Sequence, residues 1–134
     1  MNVKTFIDTN ILLYAFTEDE KNKQEIAITA LENCVPVISI QIINEFSHVA
    51  LKKNVKTITI KKKLKDIIEI TEVINENTIC IFNALDIHER YKYSFYDSLI
   101  IASALYSNCM VLLSEDLHDS QIIDDKLKII NPFK

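Results

Sequence analysis

The sequence contains no glycine and no tryptophan, and it has only two prolines, Pro36 and Pro132. Because loops that cradle phosphate need glycine for close backbone approach, the absence of glycine excludes a P-loop and a G-x-G-x-x-G nucleotide site. Because glycine and proline, which interrupt helices and strands, are so rare, no linker, repeat or low-complexity segment divides the chain. We therefore expect residues 1–134 to form a single domain, for which a hydrophobic content of 49% supplies an ample core.

Cysteine is scarce, and long hydrophobic runs are missing. Cys34, Cys80 and Cys109 stand far apart among aliphatic neighbours and form no C-x-x-C pair, which is typical of a protein from a reducing compartment. No apolar run reaches the length of a membrane span, and the first residues lack the pattern of a signal peptide. We expect a soluble, cytoplasmic protein that makes no contact with membranes.

Short β-branched segments alternate with amphipathic ones along the chain. The predicted strands span residues 3–7, 35–40, 69–74, 109–114 and 127–130, and the predicted helices span residues 23–33, 41–53, 58–68, 78–91 and a segment that begins at Asp97. Parallel strands need crossover connections, which are normally helical and right-handed. The alternation therefore predicts an α/β fold with a mostly parallel central sheet and helices on both faces.

Four acidic residues follow the predicted strands or begin a predicted helix. Asp8 follows the first strand, Glu45 lies in the helix after the second, and Asp116 follows the fourth. Ligands of such sheets bind beyond the carboxyl ends of the strands, and the first turn of a helix favours a negative charge such as Asp97. Each acid alone has a plain structural explanation as a helix cap or a solvated side chain. Together they predict a shared acidic rim.

Clustered carboxylates repel one another, by about 4 kcal/mol per close pair at an effective dielectric constant near 20. A divalent cation offsets this repulsion, and hard oxygen ligands favour Mg²⁺ or Mn²⁺ over zinc. Metal ions held in this way suit cleavage of phosphodiester bonds. The three histidines, at positions 48, 88 and 118, form no Ser-His-Asp arrangement that would favour acyl transfer.

Four segments resemble, in order and spacing, the motifs of the PIN-domain ribonucleases, and among them those of the VapC-like toxins of toxin–antitoxin pairs. The segments are "FIDTNILLYAF", "INEF", "FYDSLIIASAL" and "LLSEDLHDSQII", and the closing "IINPF" also matches the family. The resemblance covers nearly the whole chain. It implies a three-layer α/β/α sandwich, an acidic site for Mg²⁺ or Mn²⁺, endonucleolytic cleavage of RNA, a homodimer and inhibition by an antitoxin protein.

Carried over by position, the resemblance also assigns site residues. The implied catalytic residues and metal ligands are Asp8, Glu45, Asp97 and Asp116, and the implied supporting residues are Thr9, Asn10, Ser114 and Asp119. Asp119 is expected to replace or assist Asp116 as the fourth acid. Two departures stand out, because family members often carry threonine at the position of Ser114 and glycine at that of Ser120.

Positive charge must be local, because 19 acidic and 15 basic residues give a net charge of −4. Half of the fourteen lysines lie between residues 52 and 65, and Lys52 and Lys53 are candidates for contacts with RNA phosphates. The alternative is the solvated side of an amphipathic helix. Arg90, the only arginine, is a candidate for positioning a phosphate or bracing the acidic rim.

Other functions remain open at this stage. Asp8 at the end of a first parallel strand also suits an aspartate-based phosphotransfer or phosphatase module, although the phosphatase pattern needs a second aspartate where Asn10 stands. A non-catalytic PIN-like interaction domain is a further alternative. A di-iron site at Glu45 and His48 would need a second E-x-x-H motif, which the sequence lacks.

Overall fold

The computed structural model of the protein describes residues 2–134. Six strands form one sheet: β1 (Lys4–Ile7), β2 (Val35–Ser39), β3 (Glu72–Ile74), β4 (Val111–Leu113), β5 (Ile122–Ile123) and β6 (Leu127–Ile130). Their order in the sheet is β3-β2-β1-β4-β6-β5. All neighbouring strands pair in parallel except β5, which is antiparallel to β6. The mostly parallel sheet predicted from the sequence is confirmed.

Six helices connect the strands: α1 (Thr9–Phe16), α2 (Lys21–Glu32), α3 (Ile40–Lys52), α4 (Thr57–Ile70), α5 (Thr78–Tyr91) and α6 (Phe95–Tyr106). Helix α1 packs against α2 and α3, while α5 and α6 pack against each other. The predicted α/β/α sandwich is therefore confirmed. None of the helices between residues 2 and 134 is long and apolar enough to cross a membrane.

The core surrounds the central strand β1. Phe6 and Ile7 of this strand are completely buried, and they belong to one cluster with Ile38 of β2, Ile101 of α6 and Leu112 of β4. Full burial of each such side chain contributes about 1.5–3 kcal/mol. Because β1 is buried on both faces, the residue that follows it is held at a fixed place on the edge of the sheet.

Three elements differ from the sequence prediction. Helix α1 was not predicted, because its residues are apolar on almost every side and show no helical alternation of polar and apolar positions. The third strand is shorter than predicted, since α4 continues to Ile70 and only residues 72–74 pair with β2. The two-residue strand β5 was also missed, because it is too short to carry a periodic pattern.

Turns that would normally contain glycine are built from other residues. Between residues 2 and 134, six residues have a positive φ, namely Asn54, Lys92, Asn108, Ser120, Asp124 and Asp125. Four of these are asparagine or aspartate, which tolerate the left-handed region better than other side chains. Among the six is Ser120, the position where the PIN-domain ribonucleases often have glycine. Asparagine and aspartate thus occupy most of the left-handed turn positions that glycine would normally fill.

Candidate active site

Three helices begin at the carboxyl edge of the sheet, and each brings an acid to it. Asp8 follows β1 directly and is the N-cap of α1, because its Oδ1 accepts a hydrogen bond of 2.7 Å from the backbone N–H of Thr9. Asp97 lies in the first turn of α6, where its own N–H donates to Ser94 Oγ at 3.2 Å. Glu45 lies in the second turn of α3. The positive ends of these helix dipoles favour negative charge here.

Asp8 is the buried centre of this edge, with only 8% of its surface exposed. Its Oδ2 accepts a hydrogen bond of 2.7 Å from the hydroxyl of Ser114, which is fully buried after β4. Burial raises the pKa of Asp8 to about 6, against the lowering effect of the bonds from Ser114 and Thr9. The negative charges of Glu45 and Asp97 raise this pKa further. The three acids therefore act on one another electrostatically.

Thr9 links Asp8 to Glu45. The Thr9 backbone donates to Asp8, and its hydroxyl Oγ1 donates to Glu45 Oε2 at 3.3 Å. The other oxygen of Glu45, Oε1, accepts a hydrogen bond of 2.7 Å from Gln41 Nε2, one helical turn earlier in α3. Both oxygens of Glu45 are thus oriented by neutral donors.

Asp116 lies on the outer side of the rim and is exposed. Its Oδ2 accepts a hydrogen bond of 2.8 Å from Asn10 Nδ2 of α1. Asp119 lies further along the same loop, where its Oδ1 accepts a bond of 2.8 Å from the backbone N–H of Asn131. Asp116 therefore contacts α1 through Asn10, whereas Asp119 holds the segment that follows β6.

Glu115 is an acid of this edge that the sequence analysis did not select. It forms an ion pair with Lys23 of α2 and accepts a hydrogen bond of 2.6 Å from the hydroxyl of Tyr14. Desolvation opposes these bonds, but together they hold the pKa of Glu115 below its usual value. Asn10 and Tyr14 are one turn apart, so α1 fastens the loop after β4 at two points.

Gln41 and Glu76 were also missed. Glu76 follows β3, as Asp8 follows β1, so the same rule about strand ends could have identified it. Gln41 stands four residues before Glu45, which is the spacing of side chains that meet on one helix face. Neither signal was specific enough to stand out beside the four acids.

The predicted basic residues lie away from the three central acids. Arg90 pairs with Asp124, with distances of 2.6 and 3.2 Å to its two carboxylate oxygens, and lines a cavity of about 440 Å³ that also borders Met110. Met110 precedes β4, so this cavity lies at the amino edge of the sheet, opposite the acidic rim. The structure therefore does not bring Arg90 to the rim.

The two lysines at the end of α3 are both exposed. Lys53 pairs with Asp19 at 3.1 Å, and Lys52 lies beside it. A groove of about 210 Å³ along α1 is bordered by Asn10 and Lys53, so it extends from the edge of the acidic site to Lys53.

The carboxylates are near one another but are not in direct coordination geometry. Within residues 2–134, no three His, Cys, Asp or Glu side chains are close enough together to hold a metal ion. The four predicted acids also form no ion pair with any lysine or arginine of these residues. Mg²⁺ usually keeps several water molecules and binds proteins through only one or two carboxylates. The oxygen donors of this rim fit such a hydrated cation.

The comparisons with known proteins agree with this architecture. The family model described as the PIN domain matches residues 5–122. No curated protein matches the chain at a significant level of sequence similarity.

Several solved structures are similar to this chain. A toxin–antitoxin complex from Klebsiella pneumoniae has a TM-score of 0.73 and 21% identity, covering 96% of this chain and 97% of its own. VapBC2 from Rickettsia felis, bound to a DNA fragment from its promoter, has a TM-score of 0.70 and 19% identity, covering 96% and 99%. VapC20 from Mycobacterium tuberculosis, a toxin that cleaves the sarcin–ricin loop, has a TM-score of 0.68 and 13% identity, covering 81% and 86%. At these identities the likeness is one of fold, and the family follows from the match over residues 5–122: the chain belongs to the PIN domain family.

Proposed function

We propose that the protein is a metal-dependent endoribonuclease and the toxin of a toxin–antitoxin pair. The observation that carries this proposal is the buried Asp8 facing Glu45 and Asp97, since none of these acids is neutralised by a cation of residues 2–134. An arrangement of this kind destabilises the fold unless a bound cation offsets the repulsion. Mg²⁺ or Mn²⁺ suits these oxygen donors.

The residues have distinct roles in this proposal. Asp8, Glu45 and Asp97 would hold the cation, one or two of them directly and the others through its water molecules, with Asp116 as the fourth acid. When bound, such a cation polarises a phosphoryl oxygen and activates a water molecule for attack on a phosphodiester bond. With its pKa at about 6, Asp8 is mainly a carboxylate at neutral pH and is therefore able to bind a cation.

The supporting residues keep these oxygens in place. Ser114 and Thr9 each donate to one oxygen of Asp8, so the carboxylate has little freedom to rotate. Asn10 holds Asp116 against α1. Groups fixed in this way keep their geometry while substrate binds, which lowers the cost of reorganisation during the reaction.

RNA is the proposed substrate, and the groove beside α1 is its proposed path. This groove connects Asn10 at the acidic rim with Lys53, and Lys52 adds a second positive charge at the same end. Asp19, the partner of Lys53, lines the same groove, so a bound phosphate would compete with this exposed ion pair. Lysine side chains bind phosphates without regard to base sequence, so these two would contribute affinity and not selectivity. Arg90 is not included, because it lies at the opposite edge of the sheet.

The proposed antitoxin partner is supported by analogy with the similar structures. One of them is a toxin–antitoxin complex, a second is VapBC2 on promoter DNA, and a third is a toxin that cleaves the sarcin–ricin loop. By analogy, we propose an antitoxin protein as the inhibitor of this chain. We also propose that the chain acts as a single-domain homodimer in the cytoplasm.

The test is cleavage of structured RNAs by the purified protein, with Mg²⁺, with Mn²⁺ and with a chelator. We expect cleavage only with added metal, and we expect Asp97→Asn to abolish it while the exposed Asp66→Asn on α4 leaves it unchanged. Cleavage that persists in the chelator or in Asp97→Asn would contradict the proposal. A stable acyl phosphate on Asp8 would instead indicate phosphotransfer.

A further inference from the structure

Gln41 connects three segments that meet at the acidic rim. Its side-chain Nε2 donates to Glu45 Oε1 at 2.7 Å and lies 3.5 Å from the backbone oxygen of Tyr96, the residue before Asp97. Its backbone N–H donates to Glu76 Oε1 at 3.2 Å. One residue thus contacts the acid of α3, the first turn of α6 and the loop that follows β3.

The local structure explains why Gln41 needs a partner from outside its helix. Gln41 is the second residue of α3, so its backbone N–H is one of the donors that have no acceptor within the helix. Ser39, the N-cap residue, forms no capping hydrogen bond through its side chain. Glu76 supplies the missing acceptor, and its negative charge lies at the positive end of the helix dipole.

The orientation of the Gln41 amide is determined by its surroundings. Its Nε2 faces two acceptors, Glu45 Oε1 and the Tyr96 backbone oxygen, whereas its own oxygen is buried and has no hydrogen-bond donor among residues 2–134. A rotated amide would place this oxygen against those two acceptors, which is electrostatically unfavourable. The amide group of Gln41 therefore bridges Glu45 and the start of α6 in only one orientation.

We propose that Gln41 and Glu76 are positioning residues of the acidic rim. Gln41 sets the distance between Glu45 and the first turn of α6, which carries Asp97, and Glu76 holds Gln41 at the start of α3. Neither residue touches the substrate. This inference rests on the proposed cation site, because its effect is the affinity of Asp8, Glu45 and Asp97 for Mn²⁺.

The size of the effect follows from other metal sites. Loss of a residue that orients a metal ligand typically lowers metal affinity about 10- to 100-fold. Gln41→Ala removes the donor to Glu45 and the contact with Tyr96, so we expect a loss within this range. Glu76→Ala leaves the Gln41 side chain in place but removes its anchor, so we expect a smaller loss.

The experiment is calorimetric titration of the metal-free protein with Mn²⁺. We expect Gln41→Ala to weaken binding while Gln24→Ala, the matched control on α2, binds as the wild type does. Gln24 is half-buried like Gln41 but donates to the backbone oxygen of Ala15. Thermal unfolding without metal, recorded for both variants, separates loss of positioning from loss of folding.

A second pair of variants tests Glu76 without depending on Gln41→Ala. Glu76→Gln keeps an oxygen that accepts from the Gln41 N–H, so we expect it to bind Mn²⁺ nearly as the wild type does, whereas Glu76→Ala binds more weakly. Equal affinities of wild type, Gln41→Ala and Glu76→Ala would overturn this inference and leave the proposed nuclease standing. A wild-type protein that does not bind Mn²⁺ would overturn both.

Discussion

Asp124 at the amino edge of the sheet and Asp8 at the carboxyl edge have opposite electrostatic surroundings. At the amino edge, Asp124 pairs with Arg90, and the bond from this guanidinium is the main reason that the pKa of Asp124 is lowered. At the carboxyl edge, Asp8 has no cationic partner among residues 2–134, and its pKa is raised to about 6. An acid with a protein partner stabilises the fold, whereas an acid without one is suited to bind a cation from solution.

Glu115 shows that location alone does not decide the role of an acid. It lies beside Asp116 at the carboxyl edge, but Lys23 and Tyr14 occupy its two oxygens. It is therefore already neutralised and has no need of a metal. Pairing, and not position on the sheet, separates the acids that fasten the loop from those proposed to bind the cation.

The largest expected effect is that of Asp8→Asn. Because this change removes the central charge of the proposed site, we expect the rate of RNA cleavage to fall by about 10³-fold or more, corresponding to several kcal/mol of lost transition-state stabilisation. Single-turnover cleavage in Mn²⁺ measures this effect. The matched change at the amino edge, Asp124→Asn, should leave cleavage intact, and an equal loss in both variants would remove the distinction between the edges.

The second effect is a pH dependence of the metal-free stability. The pKa of Asp8 is about 3.8 in the unfolded chain and about 6 in the folded one, so the folded state binds the proton more tightly. The free energy of unfolding should therefore decrease as the pH rises from about 4 to about 6, by up to about 3 kcal/mol. Urea unfolding with a chelator tests this, and Asp8→Asn should remove the decrease. If the free energy of unfolding depends on pH in the same way in wild type and Asp8→Asn, the raised pKa of the buried Asp8 is contradicted.

The third effect is a pH dependence of stability at the amino edge, and its sign is opposite to that expected for Asp8. Because the folded-state pKa of Asp124 is lowered, its contribution to stability is present above the unfolded pKa and is lost as the pH falls through the folded one. We expect Asp124→Asn to lower the Tm at pH 7 by no more than a few degrees, since the pair with Arg90 is partly exposed to solvent. Thermal unfolding at pH 7 and pH 3 measures this change. The difference in Tm between Asp124→Asn and the wild type should be smaller at pH 3.

The smallest effect is the change in stability on replacing residues with a positive φ at the two edges. Ser120 has a φ of 68° in the loop after β4, whereas Asp124 and Asp125 have positive φ values in the three-residue turn between β5 and β6. Serine is strained in this region, so Ser120→Gly should raise the free energy of unfolding by about 0.5–1 kcal/mol. Asp125→Gly should change the free energy of unfolding less, because aspartate tolerates the left-handed region better than serine does. Chemical denaturation of both variants measures the two changes in the free energy of unfolding. Equal increases in Ser120→Gly and Asp125→Gly would contradict the prediction.

Much of the fold follows from the sequence because β1 and most of β2 are buried on both faces. The apolar runs of β1 and β2 and the helical spacing of residues 78–91 led to elements close to those observed. Since β1 and β2 are parallel neighbours, Asp8 and the start of α3 fall at the same edge. The order of strands and acids was therefore sufficient to predict the acidic rim.

The remaining features depend on packing between segments far apart in sequence. Arg90 is seven residues from Asp97, but the left-handed Lys92 ends α5 and turns the chain, so the two side chains point to different edges. Gln41 and Glu76 meet only because β2 and β3 are neighbours. No local pattern in the sequence indicates such contacts.

The direct junction between β1 and α1 has a consequence for how this protein can change. Because no loop separates Ile7, Asp8 and Thr9, the central acid is fastened to the hydrophobic core on both sides. The turn between α3 and α4 lies outside this junction, whereas the loop after β4 carries Ser114 and Asp116 of the proposed site. In the proposed ribonuclease, substrate choice can therefore diverge through insertions or exchanges in the turn between α3 and α4 while the residues of the acidic rim stay constant.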